Sequence, residues 1–519
     1  MLTVKNLKEG LFSNNFFICS SIPLFLFFAT VVATVVVTVI ATGITTAAAT
    51  ITSSNANDSL SFKRCSVKVG VREVDAQCGT LRRLEDPDNP AGRVLDLAVV
   101  KFPSNSLNPE PDAFTVIQGG PGGSSIDLAT TYLPVLDFIR DSRDVLVVDQ
   151  RGTGRSDKLA CEAPTDEVNQ FNIELVKQES QKCLSQLDKD SDLRFYTTSI
   201  AVDDLEAMRI AAGYPQLNLW GVSYGTRVAQ HYLRKYPASA RSVILDGVVP
   251  VGMNLAGSEI ARRWNDSFNN LNQRCATNEA CQSKHGDLKS TYQALQKRFS
   301  EEAISVNFPH PKTGIDTEYT FTEFSLFSAL RLMTYSTDQL SLIPLLLSET
   351  LQGNYTFVAA QITIIEESFS ENLAVGMHNS VACTEDAPFV TDEDIARAEG
   401  TLIGRIMSDV ILASCSVWPK GTIDNDFLEP FSSDVPVLVL SGETDPVTPP
   451  ENGDLSAKML GNTKHIIVPA HGHGVLGRGC MPKLASLFIE SASFESIDET
   501  CVKREKAMPI FSTLTGPKS

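Results

Sequence analysis

The chain has 519 residues, enough for about three to four domain-sized units. Hydrophobic residues make up 43% and charged residues 20%, a balance that excludes a mainly disordered chain. Against 44 Lys+Arg stand 62 Asp+Glu, for a formal net charge of −18. Such a surface repels phosphate backbones and anionic lipid, which argues against a nucleic-acid partner and against a basic membrane-binding face.

From Phe16 to Ile40 no charge interrupts an apolar run. At about 25 residues it is long enough to cross a bilayer core as a helix. Lys5 and Lys8 precede it, and no Lys or Arg follows until Lys63. The positive-inside tendency keeps the start in the cytoplasm and exports the rest. The run exceeds a usual signal-peptide core of about 7–15 residues, which favours a retained membrane anchor. Small residues at Ala47 to Ala49 offer a processing site for the alternative, a cleaved signal peptide. Residues 1–60 are therefore expected to be a signal or anchor segment and tether.

Of 11 Cys, Cys19 lies in the apolar run. The other ten fall as neighbours along the chain: Cys65/Cys78, Cys161/Cys183, Cys275/Cys281, Cys383/Cys415 and Cys480/Cys501. An even number in an exported domain points to disulfides, and sequential pairing is the expectation. No CxxC or Cys/His spacing supports a metal site.

From about residue 95, short β-branched runs alternate with helical stretches. The runs are 95–102, 113–118, 144–149, 217–222, 241–247, 435–442 and 464–470. Several are continuously apolar and end in Gly or Asp, as do strands buried on both faces of a mostly parallel sheet. Helices are expected at Ile200–Ala212, Thr226–Tyr236 and Pro482–Ser491. The alternation stops between 251 and 430, which reads as an inserted helical lid. The expected division is core 61–250, lid 251–430 and core again 431–519, an α/β fold with helices on both sheet faces.

Gly221-Val222-Ser223-Tyr224-Gly225 stands between an apolar strand and a helix. A G-x-S-x-G turn in that context lifts a serine hydroxyl above the strand ends. The hydroxyl needs a base, and the loop Ala470-His471-Gly472-His473-Gly474 after the last strand supplies one. His473, flanked by glycines, is favoured over His471. The acid should follow an earlier strand end, where Asp445 is favoured over Glu443. Gln118-Gly119-Gly120-Pro121-Gly122-Gly123 follows another strand, and its bare backbone can present N–H groups to a developing oxyanion. Gly120 and Gly122 are the expected loop donors, with the Tyr224 N–H. The segment Asp149 to Asp157 reads as a structural loop, with Arg151 held by buried acceptors.

Together the segments 119–125 (GGPGGSS), 147–157 (VVDQRGTGRSD), 219–237, 245–250 (LDGVVP), 380–388 (SVACTEDAP) and 441–449 (SGETDPVTP) resemble the α/β-hydrolase superfamily. More narrowly, they look like the proline iminopeptidase and tripeptidyl aminopeptidase group of serine exopeptidases. The resemblance covers about residues 75–495. It implies a Ser223, Asp445, His473 triad, and release of residues or short peptides from free N-termini, with no metal or organic cofactor. Gln118 stands where the commoner form has His, which bears on substrate preference. Recognition of a free amine calls for a carboxylate in a desolvated pocket, and Glu385 and Asp386 are the expected pair, followed by Glu366 and Glu367. An esterase using the same triad is the alternative, and a catalytically silent binding module is a third. The expected partners are a peptide with a free N-terminus and, where the leader is retained, the membrane.

Overall fold

The computed structural model describes residues 60–161 and 172–517. The expectations for the apolar run 16–40 and its tether lie outside the described residues. Among the described residues no helix is long and apolar enough to cross a membrane.

Among the described residues eleven strands follow in chain order: β1 (Lys63–Val69), β2 (Arg72–Leu84), β3 (Val94–Phe102), β4 (Ala113–Ile117), β5 (Val145–Val148), β6 (Leu217–Val222), β7 (Ala240–Asp246), β8 (Ile304–Pro309), β9 (Asp316–Phe321), β10 (Ser433–Gly442) and β11 (Gly461–Val468). Nine of them form one sheet in the order β1-β2-β3-β5-β4-β6-β7-β10-β11. From β5 to β11 every pairing is parallel, and β1, β2 and β3 join antiparallel at one edge.

Two apolar layers follow from the alternation of side chains along each strand. Leu219, Val243 and Val439 point to one face, which the helices Thr198–Ala212 and Tyr224–Lys235 cover. Trp220, Ile244 and Leu438 point to the other, covered by Ser125–Arg140 and Met481–Ser491. Burial on both faces explains why these strands read as continuous apolar runs.

Between β7 and β10 the chain leaves the sheet. The insertion carries its own apolar core, with Trp264, Phe268, Tyr292, Phe321 and Phe327 at its centre. It is not helical throughout, because β8 and β9 form an antiparallel hairpin in it. Its later part returns to the main body: Met377, Val381, Cys383 and Trp418 pack with the strands. All five expected disulfides are present: Cys65–Cys78, Cys161–Cys183, Cys275–Cys281, Cys383–Cys415 and Cys480–Cys501. Such bonds persist in an oxidising compartment.

Candidate active site

The chain ends β6 in a turn that only a few residues tolerate. Ser223 has φ +56°, and the helix Tyr224–Lys235 starts directly after it. The Ser223 N–H donates to Asp246 O at 3.0 Å, so the strained turn is held by the neighbouring strand. Ser223 itself is partly exposed. The Tyr224 amide sits at the first helical position, where it has no intrahelical partner.

The glycine loop after β4 lies against this turn. A Cβ on Gly119 would stand 2.7 Å from Ser223 Cβ and 2.8 Å from Val222 O, so no larger residue permits the approach. Gln118 Oε1 accepts the Gly119 N–H at 2.8 Å, and Gly123 N donates to Gly119 O at 3.1 Å. Pro121 has no N–H. The amides of Gly120 and Gly122 donate to no protein group among the described residues. The insertion meets the loop: Ala374 N donates to Gly122 O at 2.9 Å, and His378 Nδ1 lies 3.2 Å from Pro121 O.

Below, Asp149 braces the loop's far end. Its carboxylate accepts from Ser124 Oγ at 2.7 Å, Ile126 N at 2.9 Å and Arg155 N at 2.8 Å. Arg151 is fully buried and paired with Asp204, Nε to Oδ2 at 2.6 Å and Nη2 to Oδ1 at 3.0 Å. Backbone carbonyls of Leu84, Glu85 and Phe195 take its remaining donors, which makes it a structural arginine.

His473 and Asp445 come together. His473 Nδ1 lies 2.8 Å from Asp445 Oδ2. Asp445 Oδ1 accepts the Val447 and Thr448 amides, both at 2.9 Å. Thr448, to which the sequence reading gave no role, places Oγ1 2.8 Å from Asp445 Oδ2 and 3.0 Å from His473 Nδ1. Its spacing of three from Asp445 across a proline turn is the only signal that pointed to it. The insertion holds the loop as well, since His473 N donates to Tyr335 O at 2.9 Å and the Tyr335 ring stands edge-on to the imidazole. Burial pulls the imidazole pKa down. The carboxylates of Asp445 and Asp246 outweigh it, so the net shift is upward. No hydrogen bond joins Ser223 Oγ to His473 among the described residues. Both approach the same dipeptide: Ser223 N donates to Asp246 O at 3.0 Å, and a Cβ on Gly247 would stand 3.0 Å from His473 Cε1.

The rivals face elsewhere. Glu443 accepts the Ala470 amide at 2.7 Å, and His471 lies between Thr337 and Glu505. Glu385 and Asp386 are buried and committed to internal partners. Glu385 accepts from Thr198 N at 2.6 Å, Thr198 Oγ1 at 2.7 Å and Arg227 Nη1 at 3.3 Å. Asp386 accepts from Arg227 Nη2 and Leu255 N, each at 2.8 Å. Thr198 Oγ1 is also 2.7 Å from the Tyr224 hydroxyl. The pair thus braces the helix that begins at the serine turn. Burial pushes Glu385 up to about 7, against the opposing pull of Arg227 and Thr198. Glu366 is likewise raised to about 7 by burial and accepts from Tyr319 Oη at 3.0 Å, while Glu367 is paired with His310 and Lys312.

A family model described as alpha/beta hydrolase fold matches residues 112–477. The chain belongs to the alpha/beta hydrolase fold family. The matched stretch runs from the start of β4 through the histidine loop and includes the whole insertion. Among similar proteins, the serine protease Hip1 of Mycobacterium tuberculosis is 26% identical over 437 residues, 76% of this chain and 82% of that protein. A tripeptidyl aminopeptidase of Streptomyces coelicolor is 27% identical over 191 residues, 33% of this chain and 35% of that protein. Among solved structures, a proline iminopeptidase of Mycobacterium smegmatis aligns with a TM-score of 0.39 at 14% identity, covering 83% of this chain and 98% of that one.

Proposed function

We propose that this alpha/beta hydrolase is an exported serine aminopeptidase acting on peptides with free N-termini. The observation that carries the reading is the Asp445–His473 pair, which meets the same Asp246–Gly247 dipeptide as a strained, partly exposed serine. Ser223 Oγ attacks the scissile carbonyl. His473 takes the hydroxyl proton at Nε2 and later returns it to the leaving amine. Asp445 holds Nδ1–H and stabilises the imidazolium. The amides of Tyr224, Gly120 and Gly122 receive the oxyanion. Water then hydrolyses the acyl-enzyme. Apo structures commonly leave the serine–histidine contact open, and substrate closes it. The relatives named serine protease and tripeptidyl aminopeptidase support a peptide substrate over a simple ester. The lid meets the glycine loop through Ala374 and the histidine loop through Tyr335. A roof so close to the nucleophile favours chain ends over chain interiors. The apolar run 16–40 would carry the domain out of the cytoplasm and, if retained, anchor it.

The test compares aminoacyl- and tripeptidyl-arylamides with their N-acetylated forms and with acyl esters. Loss of the charge-assisted contact to the ammonium should cost about 10- to 100-fold in kcat/KM. Equal cleavage of free and acetylated arylamides, or a preference for esters, overturns the aminopeptidase reading.

A further inference from the structure

Asp246 ends β7 between its two parallel neighbours, paired with Val222 on one side and Leu440 on the other. It is 1% exposed and faces no basic side chain within hydrogen-bond reach among the described residues. Its carboxylate is used on backbone instead. Val475 N donates to Oδ1 at 2.8 Å and Leu476 N to Oδ2 at 3.0 Å. Those amides belong to the two residues that follow His473 and Gly474. The Asp246 carbonyl accepts the Ser223 N–H, and the next amide, Gly247 N, donates to Leu440 O at 3.0 Å. One dipeptide therefore touches the serine turn, the strand that leads to Asp445, and the histidine loop.

A buried carboxylate is a costly way to cap two amides, since a neutral acceptor would serve. Burial raises the Asp246 pKa while the two amides and His473 pull it down, and Asp246 in turn favours the protonated imidazole, so the two groups titrate against each other. We propose that Asp246 is a positioning residue that clasps the histidine loop to the serine turn and gives the imidazolium a second negative neighbour. This rests on the assignment of Ser223 and His473 above. The groups that face His473 are Asp445 and Asp246 from the strand ends, Thr448 from the turn after β10, and Arg331 and Tyr335 from the lid. Asp246 in turn faces Tyr132, His473 and Asp445. Arg331 opposes imidazole protonation, so removing a carboxylate leaves that opposition less balanced.

The experiment measures kcat, KM and the pH profile of kcat/KM on a free-amine arylamide for wild type, Asp246→Asn and Ser223→Ala. Asparagine keeps an acceptor for Val475 N and removes the charge. Asp246→Asn should lower kcat about 10- to 100-fold with KM little changed, and move the acid limb to lower pH. A wild-type profile with unchanged kcat overturns the proposal. So does a loss of kcat with the acid limb unmoved, which is what a purely structural role would give. If Asp246→Asn does not fold, Asp246→Ser, with a smaller neutral acceptor, carries the same readouts. Retained turnover in Ser223→Ala would instead overturn the underlying assignment, so the two failures are distinguishable.

Discussion

Ser223, His473 and Asp445 can be set beside a second set, Ser441, His465 and Asp454. In the second set, His465 Nδ1 lies 2.8 Å from Asp454 Oδ1 and His465 Nε2 lies 2.9 Å from Ser441 Oγ. It carries the full hydrogen-bond chain of a charge-assisted serine, which the first set does not. What it lacks is access. Ser441 sits inside β10 and is fully buried. Gly453 of the helix Pro450–Leu460 lies directly over it: a Cβ there would stand 2.6 Å from His465 Nε2 and 2.9 Å from Ser441 Oγ. Its acid is 69% exposed, whereas the Asp445 side chain is fully buried. Hydrogen bonds alone therefore do not make a nucleophile. The first set has instead a positive-φ turn at a partly exposed serine and a shielded acid.

Ser223→Ala is the most severe way to break this comparison. Turnover of a free-amine arylamide should fall by about 10⁴–10⁶-fold, with labelling by a fluorophosphonate abolished. An active Ser223→Ala enzyme would shift attention to Ser441 or another hydroxyl.

The acids sharpen the contrast. Asp445→Asn should cost about 10³–10⁴-fold in kcat. Because the carboxylates raise the His473 pKa, and the base must be neutral, the wild-type acid limb should lie above the ordinary imidazole value of about 6.5. Removing the Asp445 charge should bring that limb down. Asp454→Asn should change neither, since solvent screens an exposed carboxylate. Matching profiles for the two variants would erase the distinction.

A third measurement asks whether bracing of the first set reaches into the insertion. Glu385→Gln keeps the shape and weakens the hold on Arg227 and Thr198. We expect about tenfold slower peptide turnover and an equal loss in the rate of Ser223 labelling by a fluorophosphonate, a reagent with no amine. A loss confined to peptide turnover, through a raised KM, would return Glu385 to the ammonium-binding role expected from the sequence.

Much of the sheet was legible because its strands are buried on both faces and read as unbroken apolar runs, as in Val145–Val148 and Leu438–Leu440. The edge hairpin β1–β2 was not, because an edge ribbon exposes one side: its burial alternates, and charges such as Lys63, Arg64, Arg72 and Glu73 break the apolar signal. β8 and β9 escaped for the same reason. At the candidate site, Ser223, Asp445 and His473 announced themselves by local turn chemistry. Asp246 did not, because its partner lies 229 positions away in the chain; Thr448 stands three residues from Asp445, but its second contact, His473, is 25 positions away. Glu385 was visible as a carboxylate, but its partners Thr198 and Arg227 are 187 and 158 positions distant. Nothing local says that an acid is already committed.

The smallest expected effect is the most direct check on the role of access. Ser441→Ala removes the hydroxyl from a set with complete hydrogen bonding and leaves Ser223 untouched. If burial under Gly453 is what silences Ser441, kcat and KM should stay within about twofold of wild type. The cost should appear only in folding, because His465 Nε2 loses a partner in a side chain that is 11% exposed. One such neutral hydrogen bond is worth about 1 kcal/mol, read as a lower midpoint in urea unfolding. A large fall in turnover with an unchanged unfolding midpoint would mean that this serine meets substrate. Accessibility would then no longer separate the two sets.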